Sequence, residues 1–269
     1  MNNILICGND SVYKNVILEL LSYVKYNEDP VRVYFLTMDL HEENSKFICL
    51  SEKHRIAMEN ILKNKNKDSE FILIDCKKTY EDVFLDCKNA LTSYTPYALL
   101  RLISDKVLTD VDKILYLDTD VMVNKSLKDL FKININNYEF AGVKDYLGHV
   151  FINPKYINTG VLYLNLKKIR ETKLFEKCIV ELSEKKYAFP DQTVLNKFAK
   201  KKKYLPDIYN YQHGYSEKCV LKHFCKTILW TSVKVVNIKQ SDIENIHKVY
   251  KIHAFDDLYE EYNEIMKRM

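Results

Sequence analysis

The sequence predicts an α/β fold on a doubly wound, mixed sheet flanked by helices, and three features carry that prediction. Short apolar runs alternate with longer stretches whose apolar residues recur at helical spacing. One run, KILYLDTDVMV at residues 113–123, is apolar on both sides of residues 114–117, as a strand inside a parallel sheet must be. Carboxylates stand just past two strand ends, Asp10 after the first strand and the pair Asp118 and Asp120 after the fourth. Ligands gather at such ends in open α/β sheets.

Residues 4–7 read as the first strand, and the helix after it places Val16, Ile17, Leu20, Leu21 and Val24 on one face. Residues 31–36 form the second strand. A long helical stretch then carries Leu50, Met58, Ile61 and Leu62, and residues 71–75 form the third strand. Residues 96–107 read as a helix with Pro96 near its start, where a missing N–H costs nothing. The fourth strand runs through Asp118 and Asp120. Residues 161–166 form a further strand after Asn158-Thr159-Gly160, followed by a helix to about Lys185. Pro190 and Asp191 open another helix, through residue 198. Residues 249–253 read as a short strand. The last stretch spaces Phe255, Leu258, Tyr259, Tyr262, Ile265 and Met266 as a helical stripe that packs on the body rather than in lipid. With no repeat and no proline- or serine-rich linker, residues 1–269 read as one domain.

At 269 residues, with 47% hydrophobic and 29% charged residues, the chain has the composition of a soluble globular protein. No apolar run approaches the ~18 residues of a membrane span. The opening MNNILIC lacks a basic region and reads as a strand, not a signal peptide. Seven scattered cysteines without a CxxC pair point to a reduced, cytoplasmic compartment. Net charge is only +4, and the lysine run at residues 200–203 has no interleaved aromatic residues. That excludes nucleic acid as the expected partner and leaves weak peripheral attraction to an anionic membrane face. The five glycines form neither a GxGxxG nor a Walker A pattern, so no glycine-rich loop cradles a phosphate.

The Asp118/Asp120 pair carries the chemistry. On an extended strand, residues two apart point to one side, about 6.6 Å apart. Desolvating two carboxylates is costly unless a cation sits between them. Oxygen ligands of this kind suit Mg²⁺ or Mn²⁺, which typically add substrate phosphates to one or two carboxylates. The pair therefore points to a diphosphate-bearing substrate held through a metal. A solvated turn after a core strand is the plainer alternative.

Four segments in sequence order resemble the family 8 glycosyltransferases, retaining enzymes that use nucleotide-sugar donors on a GT-A fold. Asp118-Thr119-Asp120 resembles the family's metal-binding Asp-x-Asp, and Asn158-Thr159-Gly160-Val-Leu resembles its Asn-x-Gly-Val-Leu strand. Asp191-Gln192-Thr193-Val-Leu-Asn196 resembles its Asp-Gln-Asp-x-Leu-Asn helix, and Leu205-Pro-Asp-Ile-Tyr-Asn210 its Leu-Pro-x-x-Trp-Asn segment. The resemblance covers nearly the whole chain. It implies a UDP-sugar donor carrying galactose or glucose, Mn²⁺ (or Mg²⁺), and a saccharide acceptor, lipid-linked or protein-linked, in bacterial surface-polysaccharide, lipopolysaccharide or glycoprotein synthesis. Residues 1–123 would be the nucleotide-binding half, and residues 124–269 the sugar and acceptor half with a C-terminal acceptor-side extension.

By position, the resemblance implies that Asp10 accepts the uracil imide proton and Tyr13 stacks on the ring. Arg101, Asn158, Gly160 and Asp191 would line the donor. Asp118, Asp120 and His253 would hold the metal, with Asp118 also reaching the ribose or sugar. Gln192 would stand beside the anomeric carbon. Because Gln192 is an amide and Thr193 is no carboxylate, the expected route to retention is attack on the face of the departing phosphate, not a covalent intermediate. Three positions depart from the family. After His253 the chain reads Ala-Phe-Asp256-Asp-Leu-Tyr259, without the family's glycine, lysine, proline and tryptophan, leaving Lys248 and Lys251 as replacements for the diphosphate lysine. Thr193 stands where an aspartate is usual, and Val12 where an asparagine often meets uracil.

The eroded lysine loop also admits a donor-binding homologue without turnover. A nucleotidyltransferase is the other alternative, although Gly8-Asn9-Asp10-Ser11 lacks the basic glycine-rich loop such enzymes carry. His213, Cys219, His223 and Cys225 match no familiar zinc spacing.

Overall fold

The structure, a computed structural model, describes residues 1–84, 87–89, 96–230 and 233–269. Its strands include β1 (Asn2–Cys7), β2 (Val31–Thr37), β3 (Glu70–Asp75), β4 (Lys113–Leu117), β5 (Val121–Val123), β6 (Phe140–Lys144), β7 (Ile157–Asn165), β8 (Lys202–Tyr204) and β9 (Leu221–His223). Seven of them form the central sheet in the order β3-β2-β1-β4-β7-β6-β8. β1 to β4 run parallel, β7 is antiparallel to β4 and β6, and β8 is parallel to β6. The sheet is therefore mixed, as expected.

Each central strand divides its apolar residues between two cores because successive side chains point to opposite faces. Ile4, Ile6, Val33, Phe35, Leu115 and Leu117 face one core; Leu5, Tyr34, Leu36, Ile114, Tyr116 and Leu162 face the other. The first core is closed by helix α1 (Tyr13–Tyr26) and the helices Glu52–Lys65 and Asp256–Arg268. The second is closed by the segment Pro96–Ile103 and the helices Leu166–Thr172, Leu174–Glu184 and Pro190–Phe198. Leu258, Tyr259 and Tyr262 of the last helix lie in the first core, so its stripe packs on the body. Among the described residues, no helix is long and apolar enough to cross a membrane.

Several elements differ from expectation. The fourth strand does not continue through its carboxylates: β4 ends at Leu117, the chain turns with the Val121 N–H donating to the Asp118 carbonyl at 3.2 Å, and β5 leaves the main sheet to pair with β9. Asp118 and Asp120 thus flank a tight turn rather than sharing one face of an extended strand. The helix expected from residue 166 to about Lys185 breaks at Lys173, which is left-handed at φ 53°. Residues 96–107 are 3₁₀ over Pro96–Ile103 and α-helical only over Ser104–Val107. A helix at Lys77–Phe84 was not legible, because its two buried side chains, Tyr80 and Phe84, make too short a stripe. Residues 249–253 are not a strand. A π-helical turn, Ile246–Tyr250, ends at left-handed Lys251 (φ 57°), which interrupts the extended run the strand would need.

Candidate active site

A cavity of about 620 Å³ opens beyond the C-terminal ends of β1 and β4. The sheet order explains its place: β4 lies beside β1 on one side and antiparallel β7 on the other, so the β4–β5 turn meets the Asn158-Thr159-Gly160 stretch of β7. The Asp118 N–H donates to the Gly160 carbonyl at 2.8 Å. A Cβ on Gly160 would come within 2.2 Å of His223 Cε1 and 2.8 Å of Asp118 Oδ2, so only glycine lets these groups approach.

Arg101 anchors the site from the 3₁₀ segment. It is buried, and its guanidinium donates to the Thr159 carbonyl at 2.6 Å and to Asp118 Oδ1 at 2.8 Å, with Asp191 Oδ2 at 3.4 Å. Its Cζ lies 4.1 Å from the centre of the Tyr116 ring. Burial opposes the charge, but Tyr116, Asp191 and Asp118 outweigh it, and Arg101 stays a fixed cation. Tyr116 donates its hydroxyl to the same Asp118 oxygen at 2.5 Å.

The second carboxylate sits deeper. Asp120 Oδ1 faces His223 Nε2 at 3.0 Å, and Oδ2 pairs with Lys239. Burial works against ionisation of Asp120, yet His223 and Lys239 hold its carboxyl well below the usual range. Glu19 is wholly buried, and burial together with the nearby Asp120 and Asp118 pushes its carboxyl well above the usual range. His223 arrives through tertiary pairing, since it stands opposite Val121 in the β5–β9 ladder. Its Nδ1 lies 2.9 Å from Asn210 Oδ1, Asn210 Nδ2 donates to Asn158 Oδ1, and Asn158 Nδ2 donates to Asp145 Oδ2. The Gly160 N–H also donates to Asn158 Oδ1, which fixes that amide's orientation and, through it, Asn210's. The chain of bonds puts a proton on Nδ1 of His223 and turns Nε2 toward the carboxylates. As the residues stand, burial lowers and Cys225 and Asp120 raise the imidazole's affinity for a proton, with the net effect well upward.

Asp118, Asp120 and His223 each place a ligand atom within 4.8 Å of the others. Two carboxylate oxygens and an oriented imidazole nitrogen could hold a divalent cation, and the Gly160 gap leaves them room. The expected third donor, His253, is elsewhere: it is 63% exposed, 3.1 Å from Asp256, and stacked on His247 at 4.5 Å. The turn at Lys251 replaces the strand that would have aimed it at the sheet ends. Lys248 and Lys251 are exposed and outside the cavity lining, whereas Lys239 and Lys226 line it.

Beside the helix Pro190–Phe198, Thr159 donates its N–H to Gln192 Oε1 at 3.0 Å, and its hydroxyl donates to Asp191 Oδ2 at 3.1 Å. Gln192 Nε2 donates to Asp145 Oδ2 at 3.2 Å. Asp145, missed in the sequence, follows β6 and accepts from the Leu147 and Gly148 N–H groups and from Asn158 and Gln192. Its position just past a strand end was the available signal. With four donors on it, it positions the Gln192 amide and is a poor nucleophile. Asp10 and Tyr13 do not line the cavity: Asp10 Oδ1 accepts from the Ser51 N–H at 2.8 Å and contacts His54 Nδ1 at 2.6 Å, while Tyr13 stacks on His54 at 3.7 Å. The cavity wall there is Gly8, Asn9, Ser11, Val12 and Asn15. His213 stacks between Tyr146 and Tyr211, and the four residues of the zinc spacing form no cluster among the described residues.

The chain matches the model of glycosyl transferase family 8 over residues 3–233, and it belongs to that family. Glycosyltransferase GlyA of Streptococcus pneumoniae is 30% identical over 187 residues, 68% of this chain and 24% of its own length. The lipopolysaccharide 1,2-glucosyltransferase of Escherichia coli K12 is 35% identical over 113 residues, 37% of this chain and 33% of its length. The chain thus spans a third or less of these two curated relatives. The crystal structure of the galactosyltransferase LgtC with donor and acceptor sugar analogues superposes with a TM-score of 0.70 at 20% identity, over 99% of this chain and 96% of that one. The fold is GT-A.

Proposed function

We propose that this protein is a retaining hexosyltransferase that moves galactose or glucose from a UDP-sugar to a saccharide acceptor with the help of Mn²⁺ or Mg²⁺. One observation carries the reading: the turn after β4 brings Asp118, Asp120 and His223 together beside the Asp191 and Gln192 pair in one cavity. Residues 1–123 hold the nucleotide, and residues 124–269 supply the sugar and acceptor side. The acceptor is a bacterial surface polysaccharide, lipopolysaccharide or glycoprotein glycan, extended in the cytoplasm at the inner face of the membrane.

Asp118, Asp120 and His223 would hold the cation, whose charge neutralises the diphosphate as it leaves. Arg101 keeps Asp118 in place from below its other oxygen. Asp191, Asn158 and Gly160 line the sugar. Gln192, clamped by Thr159 and Asp145, presents an amide dipole to positive charge growing at the anomeric carbon. Because Gln192 is an amide and Asp145 is engaged by four donors, the acceptor hydroxyl attacks from the leaving-group face and gives its proton to the departing phosphate oxygen.

The test is UDP release from UDP-glucose, UDP-galactose and their N-acetyl forms with Mn²⁺, with product anomers assigned by NMR. Asp120→Ala should abolish Mn²⁺-dependent UDP binding in calorimetry while leaving the fold intact. Unchanged affinity would sink the metal assignment, and an inverted product would overturn retention.

A further inference from the structure

The Lys239 side chain stands where a cation bound to Asp120 would be expected to stand. Its ammonium pairs with Asp120 Oδ2 and donates to the Phe224 carbonyl at 3.3 Å. Its place is built rather than incidental. The next residue, Gln240, is fully buried and donates its amide to the Thr119 carbonyl at 2.8 Å and the Asn15 carbonyl at 3.3 Å. Thr119 is the middle of the Asp118-Thr119-Asp120 turn, so the segment carrying Lys239 is fastened to the turn it neutralises. Asn237, three residues before Gln240, also lines the cavity.

Charge counting gives the consequence. Arg101 is shared between Asp118 and Asp191, and Lys239 pairs with the Asp120 oxygen that His223 does not face. A divalent ion entering between the carboxylates would meet an ammonium on one of its own ligands. The two cations repel, and the repulsion is only partly screened because Asp120 is buried. A long, flexible lysine stem, a third exposed, can swing its head out into the cavity when that happens.

We propose that Lys239 is the resident counter-ion of Asp120, so that metal loading is an exchange: one ammonium leaves the carboxylate as one divalent ion arrives. This rests on the reading of Asp118, Asp120 and His223 as a metal site. The displaced ammonium remains in the cavity, where a diphosphate supplies a new partner for it. Metal and nucleotide therefore load together more readily than the metal loads alone.

The experiment is calorimetric titration of Mn²⁺ into wild type, Lys239→Met and Lys239→Arg, each with and without UDP. Methionine keeps the apolar stem and removes the charge. It should bind Mn²⁺ about tenfold more tightly than wild type without UDP, and this advantage should shrink with UDP present. Arginine, which grips a carboxylate with two donors, should bind Mn²⁺ more weakly than wild type, and this arm decides if the methionine variant does not fold. Mn²⁺ affinity unchanged or lower in Lys239→Met, with its melting temperature intact, overturns the exchange. So does unchanged or tighter binding in Lys239→Arg. Wild type that binds Mn²⁺ but no UDP would refute the transferase reading and leave the exchange standing, so the two failures are distinguishable.

Discussion

Gln192 and Asp191 are adjacent in sequence but are held by different partners, and that separates their roles. Gln192 is clamped at both ends of its amide, by Thr159 and Asp145, so it can offer only a fixed dipole. Asp191 accepts from the Thr159 hydroxyl and lies beside the Arg101 guanidinium. Gln192→Ala should therefore lower turnover about 10- to 100-fold, about 1.4–2.7 kcal/mol of transition-state stabilisation, with donor affinity little changed. Asp191→Ala should damage donor binding and turnover together, because the bonds to sugar hydroxyls proposed for it would exist before the reaction begins. Steady-state UDP release and donor calorimetry on both variants check this. Complete loss of activity in Gln192→Ala with binding intact would reopen the covalent route. The sequence singled out both through the resemblance of Asp191-Gln192 to the family's motif, and both line the cavity. His223 was not legible in this way, since it reaches Asp120 through the β5–β9 pairing, and Asp145 was passed over although it stands just past the end of β6.

Strand β7 matters to the site through what it omits. Gly160 lies where a methyl group would overlap His223 and Asp118 Oδ2, so the strand can pass beside the carboxylate turn only without a side chain. Gly160→Ala should push the imidazole and the carboxylate apart. The expected result is at least tenfold weaker Mn²⁺ and UDP binding, with a stability loss of about 1–3 kcal/mol from overpacking. Calorimetry and urea unfolding measure the two separately. Intact Mn²⁺ affinity would show that His223 is no ligand. At this scale the strands were legible where apolar residues were continuous, as in β1, β2 and β4. The strand expected at residues 249–253 failed because a short apolar alternation is shared by a π-helical turn.

The whole molecule closes over one more charged group, Lys222, on β9. Its ammonium is buried, donating to the Tyr211 and His223 carbonyls at 3.2 and 3.1 Å. Burial, only partly offset by Cys225, Cys219 and Asp120, brings its pKa down to about 8 from the ordinary 10.5. Below pH 8 the lysine is charged in both states and the full burial cost is present. Between pH 8 and 10.5 the folded state sheds its proton while the unfolded chain keeps it, so folding gains as pH rises. The unfolding free energy of wild type, less that of Lys222→Met, should rise by on the order of 2 kcal/mol from pH 7.5 to 10. Paired urea titrations at both pH values read this difference. A constant difference would mean that the two carbonyls keep the ammonium charged.

The sequence by itself determined the α/β alternation, the strand ends where carboxylates collect, and the segments shared with family 8. Those features depend on apolar periodicity and on short motifs, which are local. The tertiary structure decided which histidine faces Asp120, which lysine neutralises it, and where Asp10 and Tyr13 turn. His223 is 103 residues from Asp120, and Lys239 is 119 residues from it. Only the β5–β9 ladder and the Gln240 anchor bring them within reach, because a contact across such a span is set by the packing of the whole sheet and not by spacing along the chain.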